Sequence, residues 1–124
     1  GSTGVISSSS PELAGGNVTR GIVPIVFAAD LLLQEFGYFL MVSESVQKQI
    51  RDKTYGSALM QINIGDLRKI AVSFPSLKEQ ATIAASLQEL DDQTQRLESI
   101  YQRKLAALDA LKKSLLHQAF SGAL

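Results

Sequence analysis

The chain has 124 residues, no Cys, no Trp, one His, and 12 basic against 12 acidic side chains. That length accommodates one domain. The lack of cysteine excludes a disulfide framework, a thiolate nucleophile and a cysteine metal site, and one His cannot build a His-rich centre. Zero net charge gives no global pull toward nucleic acid or anionic membrane, so any such contact needs a local patch. No apolar run reaches the ~18 to 20 residues of a membrane span; the richest stretch, 21–41, is interrupted by Asp30, Gln34 and Glu35. The expectation is a soluble cytoplasmic chain.

Residues 1–17 hold Ser2, the run Ser7 to Ser10, four Gly and Pro11, with no helical or strand period. The Gly-Ser opening has the look of a cloning remnant, and the segment reads as a flexible lead whose Val5 and Ile6 could pair with an edge. The β-branched and apolar residues over 18–27 predict a strand, placed at an edge or broken by Pro24. Asp30 can cap a following helix, in which Leu31, Leu32, Phe36, Phe39 and Leu40 recur at helical spacing to about Met41, weakened at its centre by Gly37. Ser43 can cap a second helix with apolar positions Val46 and Ile50, running into a loop over 51–56. A short strand is expected over 58–62. Asn63 and Asp66 then form a small capping pair, and the alternation of Ile70, Val72 and Phe74 predicts another strand.

After Pro75 the pattern changes. Ser76-Leu77-Lys78-Glu79 is a capping box, no Gly or Pro follows until Gly122, and Gly122 stands where a helix commonly ends in the left-handed region. Residues 77–120 therefore predict a rod of roughly 66 Å at about 1.5 Å per residue. With Leu87 at heptad position a, Tyr101, Leu108 and Leu115 are a positions and Leu90, Leu97 and Leu111 are d positions. Thr94 at a and Lys104 at d are polar; they are either packing imperfections or devices that fix register and partner. Such a stripe calls for a partner helix. What lies between lead and rod is marginal as a core, so an incomplete domain, or an assembly unit completed by another chain, is expected.

No catalytic constellation emerges. There is no phosphate loop, GxSxG, HExxH or calcium loop. Asp91 and Asp92 are adjacent on a helix and point about 100° apart, so they do not converge, and His117 has no carboxylate nearby in sequence to orient it. The informative charge is local: residues 1–46 carry a net −3, whereas 47–57 carry Lys48, Arg51 and Lys53 against Asp52. Lys48 and Arg51 share a helix face, and the loop Lys53-Thr54-Tyr55-Gly56-Ser57 follows. Cations beside a hydroxyl-rich loop suit phosphate contact, with Thr54, Tyr55 or Ser57 able to reach a base edge; the plain alternative is a solvated helix end.

The combination of motifs resembles the specificity subunit of type I restriction-modification systems. The likeness is carried by Gly56-Ser57-Ala58-Leu59-Met60-Gln61-Ile62-Asn63, by Leu67 and Ile70, and by Pro75-x-x-x-Glu79-Gln80-x-x-Ile83. It continues through the long helix to Leu111-Lys112-x-Ser114-Leu115-Leu116-x-Gln118-Ala119-Phe120-Ser121-Gly122. The resemblance implies a non-catalytic subunit in which mixed α/β recognition domains each read half of a split site on double-stranded DNA. Long helices pair there as an antiparallel coiled coil, set the spacing and dock the modification (methyltransferase) subunits. Those subunits, not this chain, bind S-adenosylmethionine, and a restriction (motor and nuclease) subunit completes the complex. For this chain the expectation is an α+β fold with a lead over 1–17, a partial target-recognition domain over 18–75 and a coiled-coil helix over 76–122. Lys48, Arg51, Lys53, Thr54, Tyr55 and Ser57 would face DNA, and Leu87, Leu90, Leu97, Tyr101, Leu108, Leu111 and Leu115 would pair helices, with self-association expected. No cofactor or metal is expected in this chain. The rival readings are a plain coiled-coil dimerisation module without a DNA role and an uncharacterised enzyme.

Overall fold

The computed structural model describes residues 3–13, 15–56 and 61–123. Among the described residues a 3-10 turn at Pro11–Leu13 is followed by four α-helices: α1 (Gln34–Val42), α2 (Glu44–Asp52), α3 (Ile64–Leu67) and α4 (Leu77–Ser121). The chain divides into two units, Gly1–Ala85 and Ser86–Leu124, and α4 begins in the first and continues through the second.

The expected α+β fold is not observed: among the described residues there is no sheet, and the sole β pairing is an antiparallel bridge between Tyr55 and Gln61. The strand expected over 18–27 is interrupted by a turn in which the Ile22 N–H donates to Thr19 O at 3.2 Å, with Gly21 at φ +90°. Beyond it the chain is irregular, and Pro24 has no N–H to offer a ladder. The segment 70–74 is not a strand either, and most of the strand expected over 58–62 lies outside the described residues. Extended backbone must still be satisfied, and here glutamine side chains do it. The Gln49 amide donates to Ala71 O and accepts from Ala71 N–H, both at 2.9 Å, the pair of bonds a neighbouring strand would otherwise make. Gln47 Nε2 likewise donates to Met41 O at 2.8 Å and Gly4 O at 3.0 Å.

The first unit is built on two small apolar clusters. In one, Met41, Val46 and Ile50 are buried, with Ile6, Ile25, Leu40, Ile62 and Ile70 packed around them. In the other, Leu32 and Phe36 meet Ala84 of α4. Phe27 packs against both. Its ring explains the glycine in α1: a Cβ on Gly37 would lie 2.2 Å from Phe27 Cε2. Asp30 does not cap α1. The N-cap is Leu33, whose N–H is bound at 2.9 Å by Gln80 Oε1 from α4. Ser43 stands at the junction of α1 and α2, extended at ψ 148°, but its hydroxyl donates to Leu40 O at 2.6 Å instead of capping α2.

Local signals set the ends of α3 and α4. Asn63 Oδ1 accepts the Asp66 N–H at 2.7 Å. At the start of α4 the Glu79 carboxylate accepts from both Ser76 N–H, at 3.1 Å, and Ser76 Oγ, at 2.6 Å. Those bonds hold the Glu79 carboxyl below its ordinary value. Gln80, one residue on, is completely buried; besides Leu33 it reaches Leu31 O at 2.9 Å and Pro75 O at 2.8 Å through Nε2. Gln80 and Ala84, one turn apart, thus fix the first turns of α4 within the first unit. At the far end Gly122 adopts φ +74° and Ala123 N–H donates to Gln118 O at 2.9 Å, the bond of a Schellman stop.

Candidate functional site

The cations singled out by the sequence are placed differently from one another. On α2, Lys48 pairs with Asp52 at 3.7 Å and Arg51 with Glu44, so that helix is charge-balanced along its exposed side. Exposed pairs of this kind are worth little and open readily toward a stronger anion. Lys53 is the C-cap of α2 and half-buried, and the Thr54 hydroxyl donates to Ile50 O at 2.6 Å, closing the helix end. Tyr55 then pairs with Gln61 through two backbone bonds of 2.9 Å, which pinch the base of the loop between them. Ser57 lies outside the described residues.

Around that pinched base the structure brings the Tyr55 side chain to the Asn63 and Asp66 capping pair. The exposed Tyr55 ring carries its hydroxyl within 3.3 Å of Asn63 Nδ2, which also donates to Asp66 Oδ2 at 2.8 Å. Lys69 Nζ donates to Asp66 Oδ1 at 3.0 Å. That hydrogen bond is the main reason the Asp66 carboxyl sits below its ordinary value, outweighing partial desolvation, with weaker help from Asn63 and the charge of Lys53. Lys69 thus pairs with the Asp66 carboxylate, and Arg68 beside it in sequence is exposed. Between residues 47 and 70 five basic side chains face two acidic ones. The adjacent pair Arg68-Lys69 was the available signal, since it restores a positive balance past Asp66.

Within the second unit α4 carries an exposed apolar face. Leu90, Leu97, Tyr101, Leu108, Leu111 and Leu115 are all exposed, from 47 to 62 %. Leu87, at the head of the stripe, is half-buried. The Thr94 hydroxyl donates to Leu90 O at 2.8 Å, and Lys104 Nζ lies 5.6 Å from the centre of the Tyr101 ring. Toward the C-terminus the stripe widens into a shallow groove formed by Leu108, Leu111, Leu115, Leu116 and Ala119, with Lys112 at its side. Asp91 and Asp92 accept from different glutamines, Gln95 and Gln88, and do not converge.

Among the described residues no group of His, Asp and Glu is arranged to hold a metal ion, and no helix is long and apolar enough to cross a membrane. Neither curated proteins nor solved structures gave a match to this chain. A family match does cover most of it: residues 20–106 match the type I restriction modification DNA specificity domain. That span takes in α1 to α3, the pinched loop base and more than half of α4. It includes the Pro75, Glu79 and Gln80 element, whose side chains cap α4 and clamp its first turn. The chain therefore belongs to the family of type I restriction modification DNA specificity domains.

Proposed function

We propose that this chain is a sequence-recognition and scaffolding subunit of a type I restriction-modification complex. The observation that carries the reading is the family match over 20–106, because it spans α1 to α3 and more than half of the long helix. In this reading the basic rim of the pinched loop meets DNA. Lys53 and Arg51 neutralise phosphate, Lys48 steers, and base edges are read by Thr54, Tyr55 and Ser57. The Lys48 and Arg51 ion pairs are exposed and exchange their carboxylate partners for phosphate at small cost.

The exposed seam of α4, Leu87 to Leu115, pairs with another long helix. The wider groove around Leu116 and Ala119 docks a modification subunit, and the length of α4 sets the distance between half-sites. S-adenosylmethionine and the methyl-transfer chemistry belong to that docked subunit, and the restriction subunit joins the same scaffold. This chain supplies recognition and geometry, and no catalytic group.

The test is a complex of this chain with its modification subunit, challenged with duplex DNA at rising salt. Retention that falls steeply with salt, and is lost when Lys48, Arg51 and Lys53 are all changed to Glu with helicity intact, supports the reading. Unchanged DNA retention by the triple variant removes the loop rim from the interface. A chain that binds neither the subunit nor DNA leaves only the rival, a plain dimerisation helix.

A further inference from the structure

We propose that Gly4, Val5 and Ile6 form a strap that closes over the corner between α1 and α2 and positions the end of α2 with the base of the loop behind it. The strap opens on its own, ahead of the rest of the first unit. Its consequence for DNA rests on the loop rim meeting DNA; the strap itself does not.

The segment is held by packing on one side and by a single amide on the other. Ile6 packs against the buried Met41, Val46 and Ile50, while Val5 beside it faces solvent and is 73 % exposed. Gln47 Nε2 donates to Gly4 O at 3.0 Å and to Met41 O at 2.8 Å, so one side chain ties the strap to the last turn of α1. Gly4 takes φ +89°, and a Cβ there would lie 2.9 Å from Gln47 Oε1 and 3.4 Å from Ile50 Cγ2. A side chain at this position strains the backbone and displaces the Gln47 amide. Ser7 to Ser10, which follow, are all exposed. A short segment with one inward side chain and a solvated run behind it opens at lower free energy than the core beneath it.

Ile50 carries the effect onward. Its side chain is 2 % exposed, in the cluster that Ile6 helps to cover. Its carbonyl accepts from the Lys53 N–H at 3.2 Å and from the Thr54 hydroxyl at 2.6 Å. Across the loop, Ile62 packs on the same cluster, next to Gln61, whose backbone pairs with Tyr55. Both sides of the loop base therefore lean on apolar groups that the strap covers. The other cluster, Leu32, Phe36 and Ala84, is packed without Ile6 among the described residues. Opening the strap thus loosens the end of α2 and leaves the start of α4 in place.

Amide exchange in the full-length chain tests this with Gly4→Ala and Ile6→Ser, and with Ile6→Val as the conservative control. All three leave every residue of α2 and the loop unchanged. Exchange at Lys53 and Tyr55 is expected to rise by about tenfold in Gly4→Ala and Ile6→Ser. Ile6→Val keeps the rates of the unaltered chain, and Leu33 and Gln80 keep theirs in all three. Unchanged exchange at Lys53 and Tyr55 in Gly4→Ala or Ile6→Ser overturns the strap. Equal acceleration at Leu33 and Gln80 also overturns it, since Gly4 and Ile6 are then ordinary core residues. DNA retention by the complex with the modification subunit is measured beside it. Retention that falls in Gly4→Ala with every loop cation present supports positioning; unchanged retention with a loosened Tyr55 overturns that consequence. An unaltered complex that retains no DNA removes the rim reading, while the exchange rates still decide the strap.

Discussion

Replacing Gln80 by Leu removes three hydrogen bonds while keeping a side chain of similar bulk. Gln80 is completely buried, accepts the Leu33 N–H at 2.9 Å, and donates to Leu31 O at 2.9 Å and Pro75 O at 2.8 Å. Leaving a buried backbone group unpaired costs roughly 1–3 kcal/mol each, and an apolar side chain in the same place recovers about 1–2 kcal/mol. The site is only part-buried at its backbone partners, so water relieves some of the loss. The net expectation for Gln80→Leu is about 3–5 kcal/mol of destabilisation, a large share of the roughly 5–15 kcal/mol typical of a folded domain. Urea unfolding followed by circular dichroism and tyrosine fluorescence reads that loss. Amide exchange at Leu33 reads its local cause, since protection there depends on Gln80 Oε1. A loss below about 1 kcal/mol, with the Leu33 amide still protected, would refute the clamp and with it the account of why α4 is anchored where it is.

Helix propensity alone makes Gly37→Ala stabilising by about 1 kcal/mol, but the Phe27 ring 2.2 Å from the new Cβ reverses the sign. The variant is expected to lose about 1–3 kcal/mol by urea unfolding, and the loss should vanish in a Phe27→Ala background; a stabilised Gly37→Ala places Phe27 elsewhere. Glu79 and Asp66 both have carboxyls below their ordinary values. Stability they supply is therefore fully present above the unfolded-state values near pH 4 and lost as pH falls through the lower folded-state values. Ser76→Ala with Glu79→Ala should flatten the acid limb of the stability curve, and an unchanged limb would show that the cap does not contribute. Leu97→Asp with Leu108→Asp should abolish association of α4 in sedimentation, since each buried Leu contributes roughly 1.5–3 kcal/mol before ordering costs; unchanged mass with retained helicity contradicts the seam.

Several features were legible in the residues alone because they depend on neighbours within one turn. Asn63 with Asp66 and Ser76 with Glu79 start helices where the spacing said they would, and Gly122 stops α4. The heptad stripe and the Pro75, Glu79, Gln80 element identified the family before any coordinates, and the match over 20–106 bears that out. Helix α1 begins later than expected because its first N–H is bound by Gln80, far along the chain, and not by Asp30. Of the loop cations, sequence spacing grouped Lys48 with Arg51, and folding balances each with a carboxylate, Asp52 and Glu44.

The missing sheet marks where local reading stopped. A β-rich composition over 18–27 and 70–74 states a preference for extended backbone; it does not say what will occupy the backbone N–H and C=O groups. That choice was made by side chains distant in sequence, Gln49 for Ala71 at a separation of 22 residues and Gln80 for Leu33 at 47. Gly37 in α1 has the same kind of explanation, since only the packed Phe27 ring shows why a side chain is excluded there. The sequence by itself determined where α3 and α4 begin and where α4 stops, because those ends depend on residues within about a turn of each other. The tertiary structure decided which extended segments remain unpaired and which charges gather at the loop base, because those outcomes depend on groups that only folding brings within hydrogen-bond reach.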